Sequence, residues 1–186
     1  MAELSDFLPY VRRHISGPLN IMMTDALSMA AVAFSRQSLV CRREVTVVPV
    51  AGKEIVLPYD KDEECVHIIR ISDDNHELFV GRDVDISSGR SLRFACSPGE
   101  VSVLYAVAPK AGRSQIPDEL LTWPEEVAAG ALERLFMQTG VSWSDPLRAQ
   151  YFSVQFSEGI RRAYRHTLAT SPYSSYRNPV RRQRFF

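Results

Sequence analysis

Residues 123–136 have the sequence WPEEVAAGALERLF, which carries the signals of an amphipathic helix and decides the fold prediction. Pro124 suits the first helical position, and Glu125 and Glu126 follow it, where acidic side chains complement the positive end of the helix dipole. Gly140 supplies a stop. The apolar residues recur at spacings of three and four: Val127, Ala128, Ala131, Leu132, Leu135 and Phe136. Such a stripe must be buried against other elements of the fold.

A second start signal follows directly along the chain. Residues 143–146 have the sequence WSDP, in which Asp145 is predicted to be the N-cap of the last helix and Pro146 its first residue. This helix is expected to continue to about Ala169. The apolar residues of this helix recur every four positions: Phe152, Phe156, Ile160, Tyr164 and Leu168. The stripe predicts a long helix with one buried face.

The N-terminal region predicts two more helices. Ser5 is expected to cap a short helix that runs toward His14, and Pro18 is expected at the first position of the next helix, which ends near residues 36–39. Apolar residues lie on one face of that second helix: Met23, Leu27, Ala30, Ala31 and Phe34. Because helices from both ends of the chain need a partner, the simplest arrangement packs them against each other.

Between the helices the chain changes to short, β-branched runs bounded by turn residues. Strands are predicted at residues 45–48, 54–57, 65–71, 78–80, 84–86, 91–96 and 101–107. Ala51-Gly52-Lys53 predicts that the first two form a hairpin. Short strands at this spacing are typical of a small antiparallel sandwich or barrel.

These patterns predict an α+β fold in three parts. Residues 1–42 and 111–169 form a helical bundle, residues 43–110 form an inserted antiparallel β module of the sandwich or barrel type, and residues 170–186 form an extended C-terminal tail. The tail has no periodicity.

The charge of the chain is zero overall but strongly uneven along its length. Of 186 residues, 22 are Lys or Arg and 22 are Asp or Glu. Residues 44–85 carry eleven acidic and four basic groups, whereas residues 147–186 carry eight arginines against Glu158. One interpretation is clustering by chance. The other is a dipole that orients the protein in an assembly or on a polyanion.

The sequence contains no recognisable catalytic or cofactor motif. A nucleophile elbow, a phosphate-binding loop, a dinucleotide fingerprint and an H-E-x-x-H pair are all missing. Cys41, Cys65 and Cys96 have neither pairing nor metal-ligand spacing, which predicts buried thiols in a reducing compartment. The acidic run at residues 60–64 is interpreted as a solvated loop. We therefore expect that the protein is not an enzyme and that it binds no cofactor or metal. We also expect neither a signal peptide nor a membrane-spanning helix.

The C-terminal half resembles the phage head–tail adaptor, or connector, proteins related to the tail tubular protein A of short-tailed phages. The resemblance covers residues 1–40 and 108–169. It rests on a proline-acid turn at residues 116–121, an A-x-G-A-L pattern at residues 128–132 and the W-S-D-P cap at residues 143–146, which opens a helix with a basic end. The β segment at residues 43–107 matches the family only in the type of structure that it forms and in its position along the chain.

The resemblance implies a virion protein, made in the host bacterial cytoplasm and located in the neck or tail. Twelve subunits would form a ring below the portal protein, extend the channel for double-stranded DNA without binding the DNA specifically, and contact a tail, nozzle or neck protein. It implies no catalytic residues. Ala129, Gly130, Ala131 and Trp143 are expected to serve helix or subunit packing.

The tail is the expected portal-binding segment. Arg, Tyr and Phe are enriched at binding hot spots. The expected contacts are Tyr173, Tyr176, Arg177, Arg181, Arg182, Arg184, Phe185 and Phe186. A loose end without a partner is the other interpretation. A different functional class also stays open: a DNA-binding module that uses the arginines between Arg161 and Arg184 on phosphates.

Overall fold

The computed structural model describes residues 1–58, 60–73 and 76–170, and it combines α-helices with antiparallel sheets in an α+β fold. The helices are α1 (Leu8–Arg12), α2 (Asn20–Ser38), α3 (Pro124–Phe136) and α4 (Pro146–Ala169), with 3₁₀ turns at Leu4–Phe7 and Asp118–Thr122. The strands are β1 (Ala2–Glu3), β2 (Arg42–Val47), β3 (Glu54–Val56), β4 (Glu63–Ser72), β5 (Val84–Ser88), β6 (Ser91–Phe94), β7 (Val101–Pro109) and β8 (Gln115–Ile116).

The two C-terminal helices lie where the sequence predicts them. Oδ1 of Asp145 accepts hydrogen bonds from the backbone N–H groups of Leu147 and Arg148, each at 3.1 Å, so the predicted cap of α4 is confirmed. This cap satisfies two of the amides that the first helical turn leaves without partners.

The start signals of the N-terminal helices were predicted wrongly. Glu3, and not Ser5, stands at the N-cap, where its backbone N–H donates to Oδ2 of Asp6 at 3.3 Å. The chain then makes a 3₁₀ turn before α1. The second helix begins at Asn20, so Pro18 lies two residues before it. Ser5 lies inside the 3₁₀ turn, and the extended Leu19 separates Pro18 from the helix as its N-cap, so neither residue type alone fixes a helix start.

The strands form two three-stranded antiparallel sheets and one short pair. The sheet orders are β2-β7-β4 and β3-β6-β5, while β1 pairs with β8. The predicted hairpin of β2 with β3 is therefore wrong, because β2 pairs with β7 and β3 pairs with β6. The predicted strand at residues 78–80 is also wrong, since only Val80 of this segment forms an isolated bridge, to Val84.

The core lies where α2 meets both the C-terminal helices and the sheet of β7. α2 contacts α3, α4 and β7. Phe34 of α2 is fully buried, and its ring centroid lies 6.2 Å from that of Phe156 and 6.1 Å from that of Trp123. Helices from the two ends of the chain thus share one apolar core, which fixes the orientation of α4.

Candidate interaction surfaces

The packing of α4 on α3 depends on two glycines. A Cβ at Gly130 would lie 2.6 Å from Cε2 of Phe156, and a Cβ at Gly159 would lie 2.5 Å from Cγ of Glu126. These distances are far shorter than the usual separation of about 3.5–4.0 Å between packed carbon atoms. The absence of a side chain at each glycine therefore lets the two helices approach closely.

The packing residues expected from the sequence lie within this chain's own helix contacts. Ala129 and Ala131 are buried on α3 on either side of Gly130. Trp143 is half-buried, and its Nε1 donates to Oε1 of Gln138 at 3.3 Å. The indole ring also packs on Gly17, where a Cβ would lie 2.8 Å from Cε3 of Trp143. Trp143 thus joins the loop before α4 to the loop before α2.

The opposite face of α4 is exposed and partly apolar. We call it the α4 outer stripe; its members alternate at spacings of four and three residues and are Leu147, Tyr151, Val154, Glu158, Arg161, Arg165 and Leu168. Leu147 is 81% exposed, Tyr151 59% and Val154 52%. Among the described residues, no ion pair involves Arg161, Arg165 or Glu158. A helix with its inner face in the core and a second apolar stripe in solvent is typical of an interface helix.

A groove between α1, α3 and α4 continues the outer stripe at Tyr151. Its volume is about 400 Å³, and its floor contains Ala128, Ala129, Leu132 and Phe152. The Arg13 guanidinium lies 5.0 Å from the ring centroid of Tyr10 at the rim. Sequence reasoning missed this groove because it joins residues of three helices, and no local pattern relates Tyr10 to Tyr151.

The acidic run at residues 60–64 is a solvated loop only in part, since Asp60 and Lys61 are exposed but Glu63 and Glu64 belong to β4. Glu63 opens β4 and is 3% exposed, and its Oε1 lies 2.5 Å from Nη2 of Arg43. Arg43 also pairs with Glu119. Burial lowers the pKa of Arg43, but the hydrogen bonds to Glu119 and Glu63 outweigh it, so the pKa stays above its ordinary value. The Glu63 carboxylate can be buried because its charge is paired with the Arg43 guanidinium.

Further ion pairs connect the same acidic run to α2 and to the loop between β7 and β8. Glu64 pairs with Arg36 of α2, and Oδ1 of Asp62 lies 3.0 Å from Nε of Arg113. Much of the negative charge that the sequence concentrates in residues 44–85 is therefore matched inside the fold. Among the described residues of this range, Glu44, Glu54, Asp60 and Asp85 are exposed carboxylates without an ion pair, and Glu100 is a further exposed carboxylate in the β module.

The three thiols differ in environment. Cys41 is buried, and burial raises its pKa to about 12, a shift that the hydrogen bond to Ser35 only partly opposes. Cys65 is half-buried, and burial raises its pKa as well. Cys96 is exposed, so the prediction that all three thiols are buried is wrong for this residue.

Within residues 1–58, 60–73 and 76–170, no cluster of three His, Cys, Asp or Glu side chains could hold a metal ion. In the same part of the chain, no helix is long and apolar enough to cross a bilayer.

The expected portal-binding residues all lie outside the described residues; they are Tyr173, Tyr176, Arg177, Arg181, Arg182, Arg184, Phe185 and Phe186. Comparison of the chain with models of protein families and with curated proteins finds no match. The geometry of the described surfaces is therefore the basis for a functional proposal.

Proposed function

We propose that this protein is a structural virion protein, a head–tail adaptor that forms a ring of twelve subunits below the portal. The observation that carries the proposal is α4, which begins at the W-S-D-P cap and presents an exposed stripe opposite its buried face. The ring would extend the DNA channel and join the capsid vertex to a tail, nozzle or neck protein. The proposal assigns no catalytic role to any residue.

The order of elements supports this proposal. Helix α2 contacts α3 and α4 although seven strands separate it from them in sequence, and α3 also contacts α4. In the proposal the helices are one bundle, and the two three-stranded sheets are its inserted β-sandwich. This is the arrangement that the resemblance to head–tail adaptors implies.

The charge distribution supports a second part of the proposal. Exposed carboxylates of the β module, such as Glu54, Asp85 and Glu100, would face the channel or the tail. Phosphates are held through neutralisation by Lys and Arg, so an acidic lining would let DNA pass without tight binding. The basic segment after α4 would contact the portal.

The decisive experiment images the full chain by negative stain, and measures its mass, with and without portal rings encoded by the same phage. The expected result is a ring of subunits coaxial with the portal. A strict monomer that ignores portal rings would overturn the proposal.

A DNA-binding module is the second candidate, and exposed Arg161 and Arg165 on α4 are the observation that favours it. It predicts binding to a free duplex with an affinity that falls steeply with salt. The adaptor proposal predicts weak binding under the same conditions. Fluorescence anisotropy across a salt series distinguishes the two.

A further inference from the structure

A second exposed stripe lies on α2, opposite the residues that α2 buries in the core. We call it the α2 outer stripe; its members are Ile21, Asp25, Met29, Val32 and Arg36, of which Val32 is half-buried and the others are exposed. Ile21 is 75% exposed and Met29 47%. Among the described residues, no ion pair involves Asp25, whereas Arg36 pairs with Glu64. The stripe thus offers apolar contacts and one carboxylate that has no cation within the fold.

A groove follows this stripe along the molecule. Its volume is about 540 Å³, and its floor is formed by Met29, Val32 and Ala33. Its rim carries Arg36, Lys110 and Arg134 together with Glu64, which pairs with Arg36, so the rim has a net positive charge. An apolar floor with a cationic rim suits a helix that presents apolar residues together with a carboxylate.

The α4 outer stripe has that composition. Glu158 lies between Val154 and Arg161 on the exposed face and is the only acidic residue between 147 and 186. The two stripes are therefore complementary in charge: the α2 side offers a carboxylate and a cationic rim, and the α4 side offers arginines and a carboxylate.

We propose that the α4 outer stripe of one copy packs antiparallel on the α2 outer stripe of a second copy. The inference rests on the proposed function, because it names the contact that closes the ring. In one register Asp25 faces Arg161, Val32 faces Val154 and Arg36 faces Tyr151. Asp25 and Val32 are seven residues apart, as are Val154 and Arg161, so both pairs span about 10 Å along their helices. Arg36 can then stack on the Tyr151 ring.

Other arrangements of the same helices are less favourable. A parallel alignment that places Asp25 at Tyr151 brings Arg36 against Arg161 or Arg162, which are like charges. A contact of α2 with α2 could pair Asp25 with Arg36, but Asp25 would then compete with Glu64 for the guanidinium, whereas stacking on Tyr151 leaves the Arg36–Glu64 pair in place. Because the two stripes differ, their contact is heterologous, and such contacts generate closed rings when the rotation closes.

Disulfide cross-linking tests the contact directly. In a Cys65→Ser, Cys96→Ser background, the variant Val32→Cys, Val154→Cys should give a ladder of oxidised multimers on a non-reducing gel, both free and on portal rings. Each single cysteine variant is the matched control and should stay monomeric. Dimers as the largest product, or dimers from Val32→Cys alone, would overturn the proposed contact.

Charge reversal provides a second measurement that does not depend on the cysteines. Asp25→Arg or Arg161→Asp should each abolish the multimers seen by native mass spectrometry, and the double variant should restore them. Lys53→Glu, a charge reversal at an exposed position between β2 and β3, should change nothing. Single reversals that leave assembly unchanged contradict the contact.

The outcomes separate this contact from the proposed function. If the wild-type chain binds portal rings but the ladder is missing, the adaptor proposal stands and the contact is wrong. If the ladder forms but portal rings are ignored, the contact stands and the adaptor proposal is wrong. If neither is seen, both are overturned.

Discussion

Replacement of Gly130 by Ala should destabilise the fold, although Ala is the better helix former. The new Cβ would lie 2.6, 2.7 and 2.9 Å from three ring carbons of Phe156, so the ring must move by about 1 Å to restore normal contact. Phe34 on one side, at 6.2 Å between centroids, and the Arg134 guanidinium, at 5.8 Å from the ring centroid, restrict that movement.

The two opposing effects give the magnitude. Gly to Ala within a helix favours folding by about 1 kcal/mol. Overpacking of a filled core costs about 1–3 kcal/mol. The net change should be a loss of about 1 kcal/mol in the free energy of unfolding, because the clash involves an aromatic ring that is confined on two sides.

Urea denaturation followed by circular dichroism measures this change, and a double-mutant cycle assigns its cause. In a Phe156→Leu background, the same Gly130→Ala change should stabilise the fold by up to about 1 kcal/mol, since the obstructing ring edge is gone. Ser157→Ala, at an exposed position of α4, controls for helix propensity alone. A stabilising Gly130→Ala in the wild-type background, with coupling below about 0.5 kcal/mol, would refute the reasoning.

Three further changes test other contacts. Asp145→Ala should cost about 1 kcal/mol through loss of the α4 cap, and exposed Ser142→Ala should be neutral in the same urea assay; equal effects would contradict the cap. Glu63→Gln should cost about 2 kcal/mol. This is less than the ~3–5 kcal/mol of a fully buried pair, because Arg43 is partly exposed and keeps Glu119 as a partner. Glu64→Gln, which breaks the more exposed pair with Arg36, should cost less than about 1 kcal/mol. The Cys41 thiol has a pKa of about 12 in the fold, whereas in the unfolded chain it ionises near pH 9. The contribution of this thiol to the free energy of unfolding is therefore complete below about pH 9 and is lost as the pH rises toward 12. Cys41→Ala should reduce this loss of stability at alkaline pH. At neutral pH, a thiol reagent should modify Cys96 rapidly and Cys41 only after unfolding. Rapid modification of both thiols would contradict the burial of Cys41.

The predictions that succeeded depend on signals contained in one element. The Asp145 cap and the apolar repeat from Phe152 to Leu168 are local, and they correctly placed α4. The repeat was wrong about burial at its end, where Tyr164 and Leu168 are exposed. The strand predicted at residues 65–71 corresponds to β4, which is longer at its N-terminal end, because its apolar run is also local. Such signals require no knowledge of what the element packs against.

The predictions that failed depend on partners distant in the chain. The turn at Gly52 indicated a hairpin, yet the neighbour of β2 is a strand more than fifty residues later. Glu63 stood in an acidic run typical of solvent, and only its pairing with Arg43 explains its burial. The groove of the α2 outer stripe was equally hidden, since Lys110 and Arg134 come from other elements.

The central position of β7 determines the order in which this chain can fold during synthesis. β7 lies between β2 and β4 and also contacts α2, yet it is the last of the three strands to be translated. Until residue 109 has left the ribosome, β2 and β4 expose edges that have no partner in their sheet, and α2 lacks the surface that covers it. Domains with such non-local pairings fold slowly and are prone to aggregate in the interval. Cells that make this protein in quantity would therefore need its nascent chains to be protected until β7 emerges.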